Sequence, residues 1–222
     1  MRLRDRLFGE FLGTVFWLLI TLGSDAAAAH ASGGNEYFTL MANSLATGFG
    51  IGALILSLNA VSGACFNPLA SVLLCAKGEV PWRHLPGYLV MQFGGALLGV
   101  LLLHFLFGLP VFEVAEKPEP GLALACSEFV GSIGLLMVIH RVGNTRSEWV
   151  AYAVGAYLLA ATWALPSNCI ANPALTVARM FTLTFGGVRP ADAAGFLAAQ
   201  LLALAAVVTV IHCNKRLSAL GD

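Results

Sequence analysis

Two Asn-Pro pairs and two lone glutamates carry the polar chemistry of this chain. Asn67-Pro68-Leu69 and Asn172-Pro173-Ala174 each open a short apolar stretch, about 67–76 and 173–183. Proline suits the first turn of a helix, where its missing N–H would be unpaired anyway, and asparagine just before it is a good cap. Each pair therefore predicts the start of a helix too short to cross a bilayer. A helix start presents unpaired N–H groups and about half a positive charge. Two such ends brought together would repel cations and accept neutral solutes that take hydrogen bonds. The Asn67 and Asn172 amides would add donors at the same place.

Glu10 and Glu128 each lie inside an apolar segment. A charge there costs about 2.5–3.5 kcal/mol on insertion scales and needs partners. The expected role is structural: each accepts hydrogen bonds from irregular backbone leading into a short helix. A proton-carrying role is the alternative. The chain has no Gly-x-Ser-x-Gly, no His-Glu-x-x-His and no evident nucleophile–base pair, so no enzyme is expected. The histidines lack ligand spacing, so neither a metal nor a cofactor is expected.

Elements must position these residues. Six segments are long enough to cross about 30 Å of hydrocarbon, near 7–29, 39–58, 84–107, 122–140, 148–165 and 191–212. Gly48, Gly50, Gly52, Gly94, Gly95, Gly99, Gly131 and Gly134 lie on them and suit close helix contact in lipid. The chain also repeats. Glu10-Phe11-Leu12-Gly13-Thr14 matches Glu128-Phe129-Val130-Gly131-Ser132, and Gln92 answers Gln200. Ser62 and Ser167 each precede their Asn-Pro pair by five residues. An odd number of spans per half makes the second half inverted, a transport architecture. The expectation is one membrane domain over 1–222, with repeats at 1–107 and 122–213.

Composition agrees. The chain is 58% hydrophobic and 11% charged, against about 45–50% and 25% for soluble domains. Its formal net charge is zero and no basic stripe suggests nucleic acid. The lipid bilayer is the expected partner. Arg2, Arg4 and Arg6 before an apolar run could mimic a leader, but Glu10 suits a span better. Even span number puts both termini on one side, with Arg2, Arg4, Arg6, Lys77, Arg83, Arg141, Arg146, Lys215 and Arg216. Lys117, Arg179 and Arg189 fall on the other side, so both termini should be cytoplasmic in a multi-pass cell (inner) membrane protein. Five cysteines, all in or beside apolar segments, read as free thiols.

The two Asn-Pro boxes, the Glu-Phe-x-Gly openings and the paired glutamines resemble those of the aquaporins, the major intrinsic protein family. A further likeness, carried by Ala42–Gly48 and Ala171–Arg179, is to its bacterial branch linked to arsenic resistance. The resemblance implies an all-α membrane fold: six transmembrane helices and two re-entrant half-helices in an inverted 3+3 repeat. It implies a homotetramer with one pore per subunit. It also implies a filter at Thr47, Ala160 or Ala161, Cys169 and Leu175, small and largely apolar.

Three departures stand out. Leu69 replaces the box alanine and adds bulk where the short helices abut. Cys65 stands for the usual histidine. Leu175 stands where water-selective members carry arginine. Without that fixed charge, glycerol, urea or neutral metalloid hydroxides such as arsenite should pass, with water. Arg179, four residues on, could line the outer vestibule or snorkel to the interface. Cys169 is expected to face the pore. The alternatives are a secondary transporter and a structural membrane protein whose pore Leu69 and Leu175 close.

Overall fold

A chain in hydrocarbon must satisfy its own backbone, which favours helices. The computed structural model describes the backbone of residues 1–116 and 121–221, and side chains of 1–116 and 121–214. It has eight α-helices and no strand among the described residues. Numbered along the chain, the long ones are α1 (Leu3–Ala31), α2 (Glu36–Ser62), α4 (Leu85–Phe107), α5 (Gly121–Thr145), α6 (Val150–Ala164) and α8 (Pro190–Gly221). The short ones are α3 (Pro68–Lys77) and α7 (Pro173–Ala178). Six crossings return the chain to the face it started from, here called the terminal face; the other is the far face. Lys117 lies outside the described residues, as do the side chains of Lys215 and Arg216.

Five long helices have the length and hydropathy to cross a membrane. The expected span at 148–165 is shorter: α6 has 15 residues, or about 22 Å. A 3-10 turn at Ser147–Trp149 lengthens it by about 6 Å. The expected helix at 173–183 is also cut short. α7 stops at Ala178, and a 3-10 turn covers Arg179–Phe181. The cause is competition for carbonyls. Val188 N–H donates to Arg179 O (3.0 Å) and Ala115 N–H to Met180 O (3.0 Å). Those acceptors are thus lost to a continuing helix.

Glycines set the closest helix approaches, as the sequence suggested. A Cβ on Gly155 of α6 would stand 2.4 Å from the Gly48 carbonyl oxygen of α2. One on Gly95 of α4 would stand 2.6 Å from the Phe11 carbonyl oxygen of α1. Gly94 differs: its nearest neighbour is 3.9 Å away, because it lies beside that contact.

Both short helices follow a loop of the same shape. Gly63, Ala64 and Phe66 have positive φ before Asn67, and Asn168, Cys169 and Ala171 have it before Asn172. Such backbone cannot pair with itself. Glu10 takes the first loop's donors: Cys65 N–H at 3.0 Å and Phe66 N–H at 2.7 Å. Glu128 takes the second's: Ile170 and Ala171 N–H, each at 2.8 Å. Gln92 Nε2 joins Glu10 (2.8 Å) to Ser71 Oγ (2.8 Å). Gln200 Nε2 joins Glu128 (2.7 Å) to Thr176 Oγ1 (2.9 Å). Both acids thus accept from the irregular backbone that leads into a short helix.

Two outcomes follow for stability. Glu128→Ala strands two buried N–H groups, each costing about 1–3 kcal/mol. It should sharply lower the unfolding midpoint in detergent, and an unchanged midpoint would contradict the network's role. Gly155→Val should lower it by at least the about 1–3 kcal/mol usual for overpacking, since the atom it meets is backbone. Parent-like melting would mean that α2 and α6 separate freely.

Candidate functional site

The two asparagines meet at the ends of the short helices. Asn67 Oδ1 accepts from Leu69 N–H at 2.9 Å, and Asn172 Oδ1 from Ala174 N–H at 3.0 Å. Their amides cross over: Asn67 Nδ2 donates to Ala171 O at 2.8 Å, and Asn172 Nδ2 to Phe66 O at 3.0 Å. Each amide has a second N–H. The exchange ties each cap to the other half's loop, so α3 and α7 start from one central point. Pro68 and Pro173 sit in their first turns.

A cavity lies to either side of this point; Asn67 lines the terminal-side one, and Asn172, fully buried, is on the wall of neither. The terminal-side cavity, about 210 Å³, is lined by Arg6, Asn59, Ala64, Asn67 and Lys77 among others. The far-side cavity, about 20 Å³, is lined by Thr47, Leu175 and Arg179 among others. Trp17 lines both. The lining residues fall in continuous stripes four apart, the spacing of one helix face. On α2 the stripe is Asn43, Thr47, Ile51, Ile55 and Asn59. On α6 it is Val150, Val154, Leu158 and Thr162. On α1 it is Trp17, Thr21 and Asp25. The two cavities are therefore segments of one axis, with the Trp17 indole between them.

The loops supply a polar rail along it. Because their N–H groups turn to the glutamates, the carbonyls of Gly63, Ala64 and Cys65 receive no hydrogen bond from the described residues. Nor do those of Asn168, Cys169 and Ile170. All six residues line one cavity or the other. A solute hydroxyl moving along the axis can donate to this series in turn, as water would.

The sequence-derived filter is only partly assembled as drawn. Thr47 and Leu175 line the far-side cavity, and the Thr47 hydroxyl is buried without a partner. Neither Ala160 nor Ala161 is on its wall: Ala160 is exposed on the outer surface and Ala161 packs in the core. Helix periodicity turns Leu158 and Thr162 to the axis instead. Cys169 is on the wall, but its sulfur is turned away. A Cβ on Gly131 would stand 2.7 Å from Cys169 Sγ, and the residue is 4% exposed. The lumen thus meets Cys169 through its backbone.

Arg179 is neither at the interface nor snorkelling; it is 7% exposed and lines the far-side cavity. Leu69 does not press on the other short helix. It packs with Leu73, Leu136, Leu204 and Val207, so its bulk is absorbed between α5 and α8. Sequence reasoning missed Trp17, Thr21, Asn43, Ile51 and Thr162. The four-residue spacing along spans already placed could have found them.

These features recur in known proteins. The family model described as "Major intrinsic protein" matches residues 2–148. The chain is 37% identical over 200 residues to Aquaglyceroporin AqpS of Rhizobium meliloti (strain 1021), covering 90% of this chain and 85% of that one. It is 29% identical over 156 residues to a probable glycerol uptake facilitator protein of Thermotoga maritima, covering 62% and 64%. Its fold matches the X-ray structure of the aquaglyceroporin from Plasmodium falciparum with TM-score 0.73 at 22% identity, over 96% of this chain and 95% of that one. With the paired Asn-Pro boxes and a lined axis between two faces, the chain belongs to the major intrinsic protein family, whose members are membrane channels and not enzymes.

Proposed function

We propose that this channel passes small neutral hydroxylated or amide solutes: glycerol, urea and neutral metalloid hydroxides such as arsenite, together with water. The observation that carries this is the make-up of the far-side cavity. Thr21, Thr47 and Thr162 contribute hydroxyl oxygens to its wall, that of Thr47 without a partner, and Leu158, Ile170 and Leu175 contribute hydrocarbon. A polyol likewise combines hydroxyls with a hydrocarbon backbone. Such a match of apolar wall with a few placed polar groups is how small-molecule sites set orientation. The relatives' names, aquaglyceroporin and glycerol uptake facilitator, support the same solute class.

Charged solutes meet two barriers in this reading. The converging helix ends at Asn67 and Asn172 oppose cations. Leu158, Ile170 and Leu175 along the far-side cavity offer an ion nothing in exchange for its hydration shell. The pore is fixed, so flux should rise linearly with solute concentration and need no proton gradient. A secondary transporter would saturate and couple. The protein sits in the cell membrane with both termini cytoplasmic, supported by the excess of Arg and Lys at the terminal face. It assembles as a homotetramer, supported by its family membership.

Reconstituted vesicles test the solute class. The parent should admit glycerol and urea, and Leu175→Arg should cut glycerol entry about tenfold while sparing water, since a long cation then crosses the apolar wall. Equal glycerol entry in parent and variant would remove Leu175 from the filter, and a parent that admits neither solute would remove the proposal. Cross-linking in native membranes should run to four subunits; a ladder that stops at the monomer would contradict the assembly.

A further inference from the structure

We propose that Asp25 and Arg179 work together as a net-neutral filter in the far-side cavity, selecting solutes that both give and take hydrogen bonds. The proposal rests on the channel reading above and deepens it. It assigns Asp25 a role in specificity and supplies a cation near the place where Leu175 removes one.

The geometry has four parts. First, both residues line the same cavity as Thr47 and Leu175. Second, both are almost wholly enclosed, Asp25 at 4% exposure and Arg179 at 7%. Third, they flank one glycine: a Cβ on Gly186 would stand 2.6 Å from Asp25 Oδ2 and 3.3 Å from Arg179 Nη1. Yet the two form no ion pair within 4.0 Å among the described residues. Fourth, hydrogen-bonding capacity is left over. Arg179 Nη1 donates to Gly186 O at 3.3 Å, and Arg179 Nε is buried without a partner.

Enclosed charges of opposite sign normally close on each other, because an unpaired charge in a low dielectric is costly. These two are held near each other without touching. Asp25 is fixed by its place on the α1 stripe after Trp17 and Thr21. Arg179 is fixed by the turn that ends α7. A solute hydroxyl beside them can donate to the carboxylate and accept from the guanidinium. Hydrogen bonds to charged groups are stronger than neutral ones, so each contact weighs in selection. A glycerol-like polyol satisfies both groups at once; an apolar solute satisfies neither. An ion gains little, because a cation drawn by Asp25 meets Arg179 and an anion drawn by Arg179 meets Asp25. A single filter arginine excludes cations by repulsion alone, whereas this pair excludes both signs by cancellation.

The competing explanation is that the pair only braces the turn at 182–189 through Gly186. Selectivity separates the two. Glycerol, water and methylammonium entry would be measured in vesicles holding the full-length parent, Asp25→Asn, Arg179→Gln and the double variant. The parent should pass glycerol and exclude methylammonium. Arg179→Gln should admit methylammonium at least about tenfold faster, because its carboxylate is unopposed. Asp25→Asn should keep methylammonium out and lower the glycerol-to-water ratio about tenfold, the weight of one charge-assisted bond. The double variant should return methylammonium entry toward the parent's. If either single variant lowers all fluxes in parallel and leaves both ratios as in the parent, the filter role is overturned. Should Arg179→Gln fail to reach the membrane, Arg179→Lys keeps the charge and loses the planar fork. It should exclude methylammonium with a lowered glycerol-to-water ratio, and an unchanged ratio overturns the proposal. A parent that passes no glycerol refutes the channel reading itself, a result distinct from unchanged ratios in working variants.

Discussion

The structure depends on two buried carboxylates that hold irregular backbone in place. Cys65, Phe66, Ile170 and Ala171 have N–H groups that no helix or water-filled surface can satisfy. In hydrocarbon each such group would cost several kcal/mol. Glu10 and Glu128 remove that cost, and in doing so fix which way each loop faces. With the N–H groups turned outward to the acids, the carbonyls line the axis. The polar rail and the helix starts at its centre are thus one consequence of the same bonds. Gln92 and Gln200 extend the restraint to Ser71 and Thr176, inside the short helices themselves.

The inverted repeat explains why this is done twice. One short helix with its loop would leave a capped end facing nothing. Two, inverted, each offer a loop carbonyl to the other half's asparagine, as the Asn67–Ala171 and Asn172–Phe66 bonds do. The repeat is strict where the halves need each other and relaxed where they do not. Leu69 and Ala174 hold the same box position, yet Leu69 fits because α5 and α8 leave room for it beside Leu136 and Leu204. A side chain pointing away from the twofold centre has its own neighbours to satisfy and no duty to match its counterpart.

Legibility in the sequence followed the same division. The Asn-Pro boxes, the Glu openings and the glutamines were readable because each is a local pattern with one physical use, and each occurs twice. The six spans were readable from length and apolar content. Helix ends fixed by remote partners were not. α7 stops early because Val188 and Ala115 take the carbonyls of Arg179 and Met180 just beyond it, and no local signal near Ala178 announces that. The filter position on α6 was misplaced for a similar reason. The family resemblance points to Ala160 or Ala161, but the face that meets the axis is set by how α6 crosses α2 at Gly48 and Gly155. That crossing turns Leu158 and Thr162 inward. Cys169 meets the cavity while its sulfur packs toward Gly131, a direction that goes with a positive φ that a cysteine does not advertise.

The chemistry that distinguishes this pore therefore lies outside its repeated centre. Asn67 and the six residues whose loop carbonyls are left unpaired among the described residues lie along the two cavities. Trp17, Asp25, Thr47, Thr162 and Arg179 have no counterpart that the repeat would enforce. Trp17 lines both cavities. The threonines and the two charged groups line the cavity on the far side. A fold whose central bonds are fixed by mutual need leaves its ends free to change, since altering Thr47 or Asp25 breaks none of the bonds that hold the loops. Discrimination between solutes can then shift by substitution at one mouth while the shared conduit stays the same.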